Sequence, residues 1–254
     1  MDLPSLRIDG KVAIITGAGQ GIGRTLAVGF AAAGASVVLA ARTIADLEET
    51  AAQIEAQGGR ALAVSTDVTD GAQVSHMVRA ALQQFGRIDV LVNCAGGAGK
   101  RPMIPLLDMN EDIWDSVLAL NLKAVYLCCR AAGRAMVGQK SGSIINFSSA
   151  SGSQPVPNGT HYCAAKAGVN HFTRVLAAEW GHYNVRVNAI SPGLTATRTT
   201  LEFMPPDLYQ RYARIIPLGR VGQAEDMLGV ALFLASDASA YISGVVIPVS
   251  GGPQ

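Results

Sequence analysis

The 254-residue sequence predicts an α/β fold, a single-domain doubly wound parallel sheet of about seven strands with helices on both faces. Three observations lead there. Apolar, β-rich runs alternate with helix-like stretches from the start, and a glycine-rich turn joins the first run to the first helix. The composition, 49% hydrophobic and 15% charged with 28 glycines, suits strands buried on both faces and linked by tight turns. A chain of this length buries a core without disulfides or metals. No repeat, low-complexity tract or linker rich in Pro, Gly and Ser divides it, so residues 1–254 read as one domain.

The predicted strands are Val12 to Thr16, Ser36 to Ala41, Arg60 to Ser65, Ile88 to Asn93, Ser143 to Ser149, Val185 to Ile190 and Val245 to Val249. Between them the spacing predicts helices near 21–33, 45–56, 70–85, 111–137, 160–181 and 223–235, several opened by caps such as Asp70. The stretch 193–217 breaks this rhythm. It holds several Thr and Pro residues and a short helix near Asp207 to Ala213, and an insertion at a strand's C-terminal end is where a substrate lid belongs.

A net charge of +1 gives no long-range field to gather nucleic acid or an anionic membrane. The start, Met1 to Arg7, lacks an apolar leader. The longest uncharged stretch, Leu26 to Ala41, is broken by Gly29 and Gly34 and is too short to span a bilayer. The expectation is a soluble cytoplasmic protein. Cys94, Cys128, Cys129 and Cys163 form no metal-binding spacing and read as reduced, mostly buried thiols; no metal is expected.

Thr16, Gly17, Ala18, Gly19, Gln20, Gly21, Ile22 and Gly23 follow the first strand and open a helix. Glycines let a pyrophosphate approach the main chain, and the helix N-terminus offers amide donors and positive dipole, so Gly17, Gln20, Gly21, Ile22 and Gly23 are candidate phosphate-binding residues. At the end of the second strand, where NAD enzymes place an acid for the ribose 2′-hydroxyl, stands Ala41, followed by Arg42 and Thr43. A guanidinium there suits a 2′-phosphate, which points to NADP(H) over NAD(H).

Tyr162 and Lys166 lie one turn apart at the start of a predicted helix and share a face. An adjacent ammonium, together with the positive nicotinamide of an oxidised cofactor, is expected to pull the phenol toward the working pH range. Ser149, placed at the end of the fifth strand, can hydrogen-bond a substrate oxygen. Asn121 is polar inside an apolar helix, and a water held between it and Lys166 is expected to account for it. The four form the candidate catalytic set.

Together with Asn93, Cys94, Ala95, Gly96 after the fourth strand and Ser191, Pro192, Gly193 after the sixth, these motifs resemble the short-chain dehydrogenase/reductase family from Lys11 to Gly252. The resemblance implies a Rossmann-type fold and interconversion of a secondary alcohol and a ketone by hydride transfer, with Tyr162 as acid and base. It implies that Asp67 and Val68 flank the adenine and that Asn93, Ala95 and Gly96 line the cofactor groove. Tyr162, Lys166, Pro192, Gly193 and Thr195 also face the cofactor, and Thr197 meets the nicotinamide carboxamide. It further implies a homo-oligomer, dimer or tetramer, built on the long helices. Cys94 stands where Asn is commoner and Ser250 where Asp is; neither touches the chemistry.

The substrate is expected to be a small ketone or alcohol, met by loops 97–102, 151–161 and 194–204. Lys100 and Arg101 could bind a carboxylate or be merely exposed. His161 is expected to face away from Tyr162, while Phe203 and Met204 could form an apolar lid. A ketone reductase, a polyol dehydrogenase and a 3-oxoacyl-(acyl-carrier-protein) reductase all fit. So does an NADP(H)-binding redox sensor without turnover, although that reading gives Tyr162 and Lys166 no task.

Overall fold

The computed structural model describes residues 5–97 and 103–253, without the side chains of Thr199 and Phe203. Lys100 and Arg101 therefore lie outside the described residues. The strands are β1 (Val12–Thr16), β2 (Ser36–Ala41), β3 (Arg60–Ser65), β4 (Val90–Asn93), β5 (Gly142–Phe147), β6 (Val185–Pro192) and β7 (Val246–Val249). All run parallel in the spatial order β3-β2-β1-β4-β5-β6-β7, the doubly wound sheet expected.

The helices are α1 (Gly21–Ala32), α2 (Ile44–Glu55), α3 (Gly71–Phe85), α4 (Glu111–Leu118), α5 (Ala124–Gln139), α6 (Thr160–Trp180), α7 (Arg198–Phe203), α8 (Pro206–Ile215) and α9 (Leu228–Ala235). Asp70 caps α3 as read, its side chain accepting from Ala72 N and Gln73 N. Period-two alternation splits the core. Ile14, Val38, Leu91 and Ile144 meet α3, α5 and α6, whereas Ala13, Ile15, Leu39 and Val92 meet α1, α2 and α9. Strands covered on both faces have no polar side, which is why β1 reads as an unbroken apolar run.

Several boundaries differ from the sequence reading. The long helix expected at 111–137 is broken by a π-helical turn at Ala119–Lys123, and helix continues to Gln139. Apolar periodicity barely registers the extra residue of such a wide turn. β5 ends at Phe147, so Ser149 stands beyond the strand and begins the short helical turn Ala150–Gly152. β4 begins at Val90, two residues late, because the buried Asp89 carboxylate turns to accept Val12 N at 2.9 Å. The 223–235 helix is a tight turn, Ala224–Met227, followed by α9, and α7 was not anticipated.

Strand order reverses between β1 and β4, whose last residues, Thr16 and Asn93, pair. Chain leaving these two strands departs in opposite directions and opens a crevice at their carboxyl ends, the usual ligand position in such sheets.

Candidate active site

One hydroxyl ties the two sides of the crevice together. Thr16 Oγ1 accepts Cys94 N and Ala95 N, both at 3.1 Å, and donates to Val92 O at 3.3 Å, which ties the chain after β4 to the end of β1. Gly17 takes a left-handed φ of 73°, and a Cβ there would lie 3.0 Å from Ala95 N. A Cβ on Gly23 would lie 2.2 Å from Gly17 O, so α1 can start this close to the turn only with glycine. Gln20 is the extended N-cap of α1 and its side chain makes no cap bond; with no acid in the first turn, the amides from Gly21 through Ile22 stay clear of carboxylates.

The same crevice receives the other predicted residues. A Cβ on Gly21 would lie 3.6 Å from the Thr197 side chain, which brings the segment after β6 against the glycine turn. A Cβ on Gly96 would lie 2.9 Å from Asn121 Oδ1 and 3.3 Å from Lys166 Nζ. The glycine turn, Ala95, Gly96 and Thr197 thus come together at the crevice, and side chains in place of these glycines would crowd it, a main-chain surface whose close approach suits a nucleotide. Others are turned away or already engaged. Asn93 donates to Asn146 Oδ1 at 2.9 Å and to Cys129 Sγ, within the sheet's buried face. Val68 is buried in the core. Thr195 Oγ1 donates to Gly193 O at 3.2 Å, and Thr197 Oγ1 caps α7 by accepting Thr200 N. Pro192 closes β6, and Gly193 N donates to Val249 O.

Where β2 ends, Arg42 and Thr43 are exposed, and among the described residues no carboxylate pairs with the Arg42 guanidinium. Thr69 donates its hydroxyl and amide to the Asp67 carboxylate and holds it below the usual range, with a smaller contribution from Arg42. Sequence reasoning passed over Asp46. A Cβ on Gly19 would lie 2.9 Å from Asp46 Cβ, 3.6 Å from its Oδ2 and 3.7 Å from Ala41, so an acid does reach this corner, from α2 and not from the strand. Its place in the first turn of α2 also favours a carboxylate there.

At the other end, Tyr162 and Lys166 share a face of α6, with Lys166 Nζ 5.7 Å from the centre of the phenol ring. Burial raises the Tyr162 pKa; a hydrogen bond with Ser149 opposes this, and Cys163 adds to it. Lys166 Nζ donates to Phe147 O at 2.8 Å. Burial drops Lys166 itself to about 8, partly offset by Cys94. Ser149 accepts Ser151 N through Oγ at 3.2 Å. The water expected between Asn121 and Lys166 is not needed to satisfy Asn121. In the π turn its Oδ1 accepts Gly97 N at 2.8 Å, and its Nδ2 donates to Gly97 O at 3.1 Å and Val117 O at 3.0 Å. The amide clamps the loop after β4 beside Lys166. His161 is buried.

Lys166 gives a measurable pH signature. Its ordinary value is 10.5 and its folded value about 8, so between these the unfolded chain binds more protons and stability rises with pH. Below pH ~8 the full cost of burying the ammonium is present. Lys166→Met is expected to melt roughly 5 °C above the wild type at neutral pH, the gap closing as pH climbs toward that of a free lysine. Thermal denaturation of both proteins across this range checks it; a constant gap would place the effect in packing instead of charge.

The four cysteines are free, with Cys128 and Cys129 buried and Cys94 and Cys163 half-buried. Burial pushes Cys94 and Cys128 up to about 12, the protonated, unreactive state expected of them. Among the described residues no group of His, Cys, Asp and Glu could hold a metal, and no helix is long and apolar enough to cross a membrane.

Residues 17–254 match the family described as Enoyl-(Acyl carrier protein) reductase. The chain is 40% identical over 247 residues to the 3-oxoacyl-(acyl-carrier-protein) reductase of Thermotoga maritima, covering 97% of this chain and 99% of that one. It is 37% identical to the D-threitol dehydrogenase of Mycolicibacterium smegmatis, covering 97% and 94%. A 7α-hydroxysteroid dehydrogenase solved with NADH and 7-oxo glycochenodeoxycholic acid superposes with a TM-score of 0.93 at 35% identity, covering 97% of this chain and 95% of the other. With the crevice, the Tyr162–Lys166 face and full-length likeness in agreement, the chain belongs to the short-chain dehydrogenase/reductase family, oxidoreductases that act on alcohols and ketones with a nicotinamide cofactor.

Proposed function

We propose that this protein reduces a ketone to a secondary alcohol, and runs the reverse, with NADP(H) as the hydride carrier and Tyr162 as the proton donor and acceptor. The observation that carries the proposal is the shared face of α6, where Lys166 Nζ lies 5.7 Å from the centre of the Tyr162 ring, with the Ser149 hydroxyl opposing the rise that burial imposes on the phenol. Burial keeps the phenol protonated at neutral pH, the state that ketone reduction needs. When bound, the nicotinamide would supply the hydride to the carbonyl carbon and would accept it in the reverse direction. Ser149 donates to the substrate oxygen and orients it, and Tyr162 Oη gives that oxygen its proton. Lys166, which no carboxylate pairs among the described residues, supports the charge left on Tyr162, and Asn121 keeps the wall beside it in place through Gly97.

Gly17, Gln20, Gly21, Ile22 and Gly23 would hold the pyrophosphate; Asp67 and the Val68 main chain, the adenine. Ala95, Gly96, Pro192, Gly193, Thr195 and Thr197 would line the nicotinamide half. Arg42, with Thr43 beside it, is the feature that favours NADP(H), while Asp46 at the same corner works against a 2′-phosphate. NADPH is expected to exceed NADH in kcat/KM by about tenfold or more, a difference of ~1.4 kcal/mol that one charge-assisted contact supplies. Ala41→Asp with Arg42→Leu is expected to reverse the ratio. Equal efficiencies in the wild type would overturn the NADP(H) assignment and leave the chemistry standing.

Substrate breadth is tested by following the ultraviolet band of reduced nicotinamide with simple ketones, keto sugars, a keto steroid and an acetoacetyl thioester. The named relatives act on an acyl thioester, a polyol and a steroid, so each class has support. Cofactor binding without turnover across the whole panel would favour the redox-sensor reading instead.

A further inference from the structure

Asn170 lies one turn beyond Lys166 on α6 and is buried. Its Nδ2 donates to Gly152 O at 3.2 Å and approaches Ser153 Oγ at 3.5 Å, both in the turn that Ser149 opens. This orientation leaves the amide oxygen, also buried, without a hydrogen-bond partner among the described residues. A buried acceptor left unpaired is unfavourable, so the side chain sits as it does for the sake of its donors. The turn is pressed onto α6 at two further points. Ser148 Oγ donates to Lys166 O at 3.2 Å, and a Cβ on Gly152 would lie 2.9 Å from Lys166 C and O. Inside the turn, Gly152 N donates to Ser149 O at 2.8 Å, so whatever holds Gly152 also holds Ser149.

We propose that Asn170 is a positioning residue for the reaction, fixing the turn 149–153 to α6 so that the Ser149 hydroxyl stays in register with Tyr162. Tyr162, Lys166 and Asn170 recur every four residues along one helix face. The first two carry the proton and its charge, and the third sets the distance of the opposing serine. A side chain of the same length without the donor lets the turn drift, and a shift on the order of 1 Å at a reacting group costs about 10²-fold in rate.

The inference rests on the assignment of Ser149 and Tyr162 under Proposed function, so wild-type turnover that Tyr162→Phe abolishes is established first. Asn170→Leu is then expected to lower kcat about 30-fold while the NADPH Kd, read by fluorescence titration, stays within about twofold. In a Ser149→Ala background the same change is expected to cost less than about threefold, because the residue it positions is already gone. A full loss on top of Ser149→Ala, a cofactor Kd that weakens in step with kcat, or an unchanged kcat would each overturn the proposal. Should Asn170→Leu fail to fold, Gly152→Ala displaces the turn from the opposite side of the contact, with the same expected split and the same overturning results.

Discussion

Tyr162→Phe is expected to lower kcat by about 10³-fold or more and to leave the NADPH Kd within about twofold. The substitution removes one oxygen and keeps the ring, so packing over Lys166 Nζ at 5.7 Å is retained. What is lost is the acid that meets the substrate oxygen as hydride arrives, and general acid catalysis contributes 10²–10⁴-fold. Ser149 and the crevice would still orient the ketone, which sets the residual rate. Steady-state turnover with fluorescence titration of NADPH checks both halves. A variant that keeps a tenth of wild-type activity would mean that another group, or water, delivers the proton.

Gly23→Ala is expected to weaken cofactor binding by about 100-fold, or ~2.7 kcal/mol, and to lower the melting temperature as well. The new methyl would begin 2.2 Å from Gly17 O and close to Ala18 N, both main-chain atoms of the phosphate turn, so no side-chain rotation relieves it. Either the turn opens or α1 moves out, and each takes the helix amides away from the pyrophosphate position. Gly138→Ala is the control. Nothing lies within 4 Å of its Cβ in α5, and alanine there is expected to add a few tenths of a kcal/mol of stability with no change in binding. Calorimetric titration of NADPH with thermal melts separates the two. Equal Kd values for Gly23→Ala and the wild type would place the cofactor somewhere other than this turn.

These two positions were readable in advance for different reasons. Gly23 belongs to a motif whose residue types are dictated by main-chain sterics between near neighbours in sequence. Tyr162 and Lys166 meet because helical geometry alone brings residues four apart to one face. Asn121 stands out in the sequence as a polar residue inside an apolar helix and Ser149 as a hydroxyl at the end of a strand, but the surroundings of both differ from that reading. Asn121 meets Gly97 across the crevice and depends on a π turn that leaves no periodic trace. Ser149 was assigned to a strand that ends two residues earlier, since its own role as the cap of a short turn resembles strand continuation in residue type. Asp46 and Asn170 were missed altogether, and neither belongs to a motif.

The sequence by itself determined the strands β1, β2 and β3 to the residue, the α/β alternation, the glycine-rich turn before α1 and the Tyr162–Lys166 pair. Each rests on contacts local along the chain or on the apolar runs demanded by a sheet covered on both faces. Only the tertiary structure decided the strand order that opens the crevice between β1 and β4, the docking of Asn121 on Gly97, the arrival of Asp46 beside Gly19 and the clasp of Asn170 on Gly152. Those are meetings of residues far apart in the chain, and their geometry follows from how helices seat on the sheet, which no pattern of neighbouring residue types encodes.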